Sequence, residues 1–142
     1  MIFTTNNHPS LRFPKRETLR AIQSVFKNES QQSFRLSVVF VGSRAIRRIN
    51  CRFLGDDYVT DVIAFPLGGQ DEPGAQAELY VNLDRAKSQA REYGVTFAEE
   101  TRRLLIHGTL HLVGYSDASP GQKARMTRQE DFYLSRLSKS KK

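Results

Sequence analysis

His107 and His111 lie four residues apart in the most apolar run of this chain of 142 residues. Four residues is about one helical turn, so both imidazoles leave one face of a helix with Cβ atoms roughly 5–6 Å apart. Gly114 follows, a residue type that commonly ends helices in a left-handed conformation. A chain that turns back there can bring Asp117 to the same point as the two rings. Two neutral imidazoles and one carboxylate leave the fourth position of a tetrahedral zinc open, the pattern of catalytic rather than structural sites. The competing reading is a pair of core histidines satisfied by their neighbours. Two rings on an apolar helix leave four nitrogens to satisfy, and a metal takes one from each. The third histidine, His8, is far off in sequence and is expected at the surface.

A familiar helical pair is His-Glu-x-x-His, whose glutamate is the general base of a metalloprotease. Here that position is Gly108. Glycine costs about 1 kcal/mol against alanine inside a helix. Its presence removes the base and is expected to leave open space over the metal, which argues against peptide hydrolysis.

These residues need elements to carry them. Residues near the N-terminus alternate weakly, as in an edge strand. Pro14 to Glu29 reads as a helix, with Leu19, Ile22, Val25 and Phe26 on one face. Phe34, Leu36, Val38 and Phe40 alternate with more polar positions, as in a half-buried strand. Ser43 is the expected N-cap of a helix over about 44–54. That helix sets Ile46, Ile49 and Phe53 against Arg44, Arg48 and Arg52. The arginine stripe is either a solvated face or a phosphate-tracking surface, since guanidinium forks bind phosphate oxygens in pairs. Val59 to Phe65, ended by Pro66, has the composition of an interior strand, with Asp61 as its odd member. Gly68 to Gln76 reads as a hairpin-like connection, and Ala77, Leu79 and Val81 as another half-buried strand. A short helix follows from Asp84 to Tyr93. Thr96 and Glu99 form a capping box that opens the histidine helix, which is expected at the buried centre of the fold. A last helix over about 121–137 carries Met126, Tyr133 and Leu137 on one side. The expected class is α+β, a small mixed four-stranded sheet with a central buried metal-binding helix and surrounding helices. Residues 1–138 are expected as one domain and 139–142 as a basic tail.

Twenty-two Lys and Arg against fifteen Asp and Glu leave a net charge of +7. The excess favours polyanionic partners, nucleic acid above all, against the alternative of a basic surface that merely keeps the chain in solution. The single cysteine, Cys51, excludes an internal disulfide and fits a reducing compartment. No apolar run approaches the roughly 20 residues of a membrane span, and the N-terminal segment lacks signal-peptide character. The expected location is cytoplasmic.

The segment His107-Gly-x-Leu-His111-Leu-x-Gly114-Tyr115, followed by a ligand residue, resembles the signature of the YbeY family of rRNA maturation factors. Asn50-Cys51-Arg52 and Thr60-Asp61-Val62-Ile63-Ala64-Phe65-Pro66 resemble further segments of that family, and Glu78-Leu79-Tyr80-Val81 stands where it has a glycine-aspartate-isoleucine strand. The resemblance implies a zinc-dependent, single-strand-specific endoribonuclease of ribosome biogenesis. It would act in 16S rRNA 3′-end maturation and ribosome quality control, with the small ribosomal subunit and its assembly factors as partners. It also implies that Arg52 contacts the scissile phosphate, with Arg44 and Arg48 extending the track for RNA. The family pattern most often has histidine as third ligand, and here that position is Asp117. Aspartate is an acceptable zinc ligand, but it lowers the site's formal charge by one unit and makes harder divalent metals more competitive. A ribosome-assembly RNA-binding factor with a structural metal fits the same charge and motif, although it needs a fourth protein ligand.

Overall fold

The computed structural model describes residues 1–29, 34–67 and 75–139. In chain order the elements are β1 (Ile2–Asn6), α1 (Lys15–Glu29), β2 (Phe34–Val41), α2 (Ser43–Leu54) and β3 (Val62–Leu67). β4 (Ala75–Asn82), α3 (Leu83–Tyr93), α4 (Phe97–Leu112) and α5 (Pro120–Lys139) follow. The expected class holds: one mixed sheet in the order β1-β2-β4-β3, with helices on both faces. β1, β2 and β4 run parallel, and β3 runs antiparallel to β4. Most of the expected connection 68–76 lies outside the described residues, as does the tail beyond Lys139.

The strand alternation divides the core. Leu36, Val38 and Phe40 of β2 and Ala77, Leu79 and Val81 of β4 point to one face, where they meet α1, α3, α4 and α5. The opposite face is covered by α2, whose Ile46 packs with Val41 and Ile63. β3 is an edge strand rather than the interior strand its composition suggests, and Pro66 lies within it, opposite Ala77. An edge position tolerates proline because one side of the strand has no ladder to complete.

α4 is buried as expected, with Leu104, Leu105, Ile106, Leu110 and Leu112 at 4% exposure or less. Thr101 and Thr109 are wholly buried, and their hydroxyls donate to the carbonyls of Phe97 and Leu105 one turn back. Gly108 faces the sheet rather than open space. A Cβ there would lie 2.3 Å from Leu79 Cδ1 and 2.9 Å from Val62 Cγ1. The missing side chain is what lets α4 approach β3 and β4.

The structure departs from two of the sequence expectations, at Ser43 and at His8. Ser43 is the first helical residue of α2, not its N-cap, and its N–H donates to Asp84 Oδ2 at 2.9 Å. His8 is buried, not superficial. Its Nδ1 accepts from the N–H groups of Ser10 and Leu11, so Nε2 carries the proton and donates to Asp84 Oδ1 at 2.8 Å. The Asp84 carboxyl is held below its ordinary range, first by His8 and further by Ser43 and Lys87. Asp84 thus ties the chain after β1 to the start of α2.

Gly108→Ala tests the close approach of α4. Overpacking costs about 1–3 kcal/mol, against a gain of about 1 kcal/mol in helix propensity. Leu79 is fully buried and has little room to yield, so a net loss of stability is expected in urea unfolding. A net gain of about 1 kcal/mol would show that the sheet yields without cost.

Candidate metal centre

The end of α4 builds the centre. Tyr115 N–H donates to Leu110 O at 3.0 Å, and Gly114 N–H to His111 O at 3.1 Å. This pair of bonds is the Schellman arrangement, in which the turning residue takes a positive φ. Gly114 has φ 108°. The reversal brings the Tyr115 carbonyl to His111 Nδ1 at 3.1 Å and carries Asp117 back over the helix.

His107, His111 and Asp117 converge as expected, through one ligand atom each. His111 Nε2 lies 3.1 Å from His107 Nε2, and Asp117 Oδ2 lies 3.5 Å from both. Ligand atoms about 2.0–2.1 Å from a tetrahedral ion stand about 3.3 Å apart, so the triangle has the size of a metal face. Its chemistry agrees. His107 Nδ1 faces Glu130 Oε2 at 2.6 Å, and His111 Nδ1 faces a carbonyl. Both partners are acceptors, so both Nδ1 atoms carry the proton in the neutral rings and both Nε2 atoms are bare. In that tautomer three acceptor atoms converge, a set that could hold a cation.

The surroundings favour one. Burial pushes the His107 imidazolium down, but Glu130, by hydrogen bond and by charge, with Asp61 and Asp117, outweighs it and raises its pKa. A cavity of about 260 Å³ opens beside the centre, lined by Asp61, Glu100, His107, Asp117, Lys123 and Glu130 among others. Asp61 makes no hydrogen bond to a histidine among the described residues; it accepts from Gln89 Nε2 at 3.4 Å. Glu130 is the partner that sequence reasoning missed. It lies 23 residues from His107 in sequence, and only the packing of α5 on α4 brings the two together.

The arginines are elsewhere. Arg44, Arg48 and Arg52 are exposed on α2, across the sheet from α4, and make no hydrogen bond or ion pair to the cluster among the described residues. The Arg52 guanidinium lies over the Phe53 ring, 5.5 Å from its centroid. Phe53, assigned by spacing to the apolar face of α2, is 62% exposed and meets Phe65 edge-on.

The endoribonuclease YbeY family model matches residues 3–138. An endoribonuclease YbeY of Chlorobaculum tepidum is 44% identical over 124 residues, covering 85% of this chain and 88% of that one. One from Chlorobaculum parvum is 42% identical over 118 residues, covering 82% of each. A Thermotoga maritima protein solved in solution superposes with a TM-score of 0.63 at 28% identity, covering 94% of this chain and 87% of that one.

Glu100 supplies a stability test of the cavity. Burial raises its carboxyl pKa to about 7; Arg103 opposes the rise, and Asp61 and Glu130 add to it. The folded state therefore holds a proton that the unfolded state releases at lower pH, and stability falls as pH rises from the ordinary carboxyl range through about 7. In metal-free protein, Glu100→Gln should gain stability relative to the parent over that window. A pH-independent difference in urea midpoint would contradict the assignment.

Proposed function

Because the chain belongs to the YbeY endoribonuclease family, we propose that it is a metal-dependent, single-strand-specific endoribonuclease of rRNA processing. His107, His111 and Asp117 would hold one zinc ion. The observation that carries this reading is the convergence of two imidazole nitrogens and a carboxylate oxygen, 3.1–3.5 Å apart, beside an open cavity. An ion bound there supplies a Lewis acid for a phosphoryl oxygen and lowers the pKa of water.

The chain's own residues do the rest. Glu130 and the Tyr115 carbonyl hold the two rings with Nε2 inward, and Asp117 completes one side of the centre, leaving the other for substrate. Among the described residues, no fourth His, Cys, Asp or Glu joins the group, which favours a catalytic site over a closed structural one. Asp117 brings oxygen where the family most often has nitrogen, so manganese and other harder ions compete better here. Arg52 is the proposed phosphate contact on the family resemblance of its segment, which lies within the matched span, although its helix packs across the sheet from α4. Arg44 and Arg48 would extend that track. Lys123, which lines the cavity, is a second cation suited to the same role. Substrate, partners and setting follow the family reading: single-stranded rRNA, 16S rRNA 3′-end maturation and ribosome quality control, and the small ribosomal subunit with its assembly factors, in the cytoplasm. No helix among the described residues is long and apolar enough to cross a membrane. The matched span supports one domain over 1–138.

Purified protein should carry about one zinc per chain, lost in His111→Ala, and should cleave single-stranded RNA until a chelator is added. Arg52→Ala should slow cleavage by about 10²–10³-fold with zinc retained, the scale of one lost transition-state contact. An unchanged rate removes Arg52 from the mechanism, and a slow Lys123→Ala beside it transfers the role. Bound zinc without cleavage under any divalent metal would instead favour an RNA-binding assembly factor.

A further inference from the structure

We propose that Glu130 is a positioning residue of the metal centre, holding the His107 ring so that Nε2 faces His111 and Asp117, and that Arg103 holds Glu130 in turn. This rests on the metal reading of the centre and adds to it two residues outside the ligand set, one of them on another helix.

The geometry commits both oxygens of the carboxylate. Glu130 Oε2 accepts from His107 Nδ1 at 2.6 Å, and Oε1 accepts from Arg103 Nη1 at 2.8 Å. Glu130 itself is 7% exposed. The second arm of the guanidinium donates to Asp131 Oδ1 at 2.7 Å. Arg103 and His107 are one turn apart on α4, while Glu130 and Asp131 are consecutive on α5. Two adjacent carboxylates of one helix therefore grip two residues of the other, by short charge-assisted bonds.

The ring needs such a grip. Rotation about the imidazole's second torsion is broad and roughly two-fold, so a free ring can turn over and point carbon where Nε2 should stand. A fixed acceptor at Nδ1 removes that freedom and sets the tautomer, and a carboxylate in that place also raises the basicity of Nε2. Asp61 and Glu100 share the cavity wall, but among the described residues neither hydrogen-bonds to a histidine. Glu130 alone there has both the reach and the direction.

The test is zinc affinity of the full chain, read by competition with a chromogenic chelator. Glu130→Ala should weaken zinc binding about 10–100-fold, with the circular dichroism spectrum unchanged. Glu130→Gln keeps one acceptor for Nδ1 and should recover part of that loss. Arg103→Ala leaves the carboxylate present but loose and should lose less than Glu130→Ala. Parental affinity in Glu130→Ala overturns the inference and leaves the metal centre standing, because His111→Ala reports on that centre separately. A parent chain that binds no zinc overturns both. If Glu130→Ala does not fold, parental affinity in both Glu130→Gln and Arg103→Ala overturns the inference.

Discussion

The contact that orders this molecule is backbone against sheet at Gly108. With Leu79 and Val62 occupying the space of a side chain, α4 has one rotational setting. Successive residues of a helix are about 100° apart, so seating Gly108 on the strands turns His107 and His111 to the same flank. Arg103 and Glu100 share that flank, toward α5 and the cavity. A residue that costs helix stability in isolation thereby sets the direction of both histidines of the centre.

Charge is divided between surface and site. The chain as a whole is basic, at +7, while the cavity beside the histidines gathers Asp61, Glu100, Asp117 and Glu130. A polyanion is attracted from a distance and repelled at the last step. Arg103 and Lys123 offset part of that charge, and a divalent cation at the histidines would offset the rest, which would make such a pocket compatible with a phosphodiester.

Local patterns were legible and long-range partners were not. Spacing and the Gly114 turn marked out the three converging side chains because the whole device spans eleven residues, from His107 to Asp117. Alternation placed β2 and β4 because their pleats face different helices. It misjudged β3, since a strand can be apolar on both faces and still have an open edge. Nothing in the local sequence singles out Glu130 on its helix of mixed composition, and nothing near His8 signals its burial. Their partners, His107 and Asp84, are 23 and 76 residues away. The reason for Gly108 was similarly hidden, because the atoms that exclude a Cβ belong to two other strands. Asn82 caps α3 by accepting from Asp84 and Arg85 N–H, yet in sequence it reads as the last residue of an alternating strand.

The grip of Glu130 and Asp131 on Arg103 and His107 also fastens α5 to α4, beside the apolar packing of Met126, Tyr133 and Leu137. Ligand orientation and helix docking are thus one set of bonds with two uses. An ion drawing electrons from Nε2 makes the Nδ1 proton a better donor, which tightens the seam between the helices. By thermodynamic linkage, closing of the seam would then strengthen ion binding by the same factor by which the ion strengthens the seam. If the three residues hold an ion, α5 is in this sense a part of its site, and occupancy would be read in how firmly that helix is held.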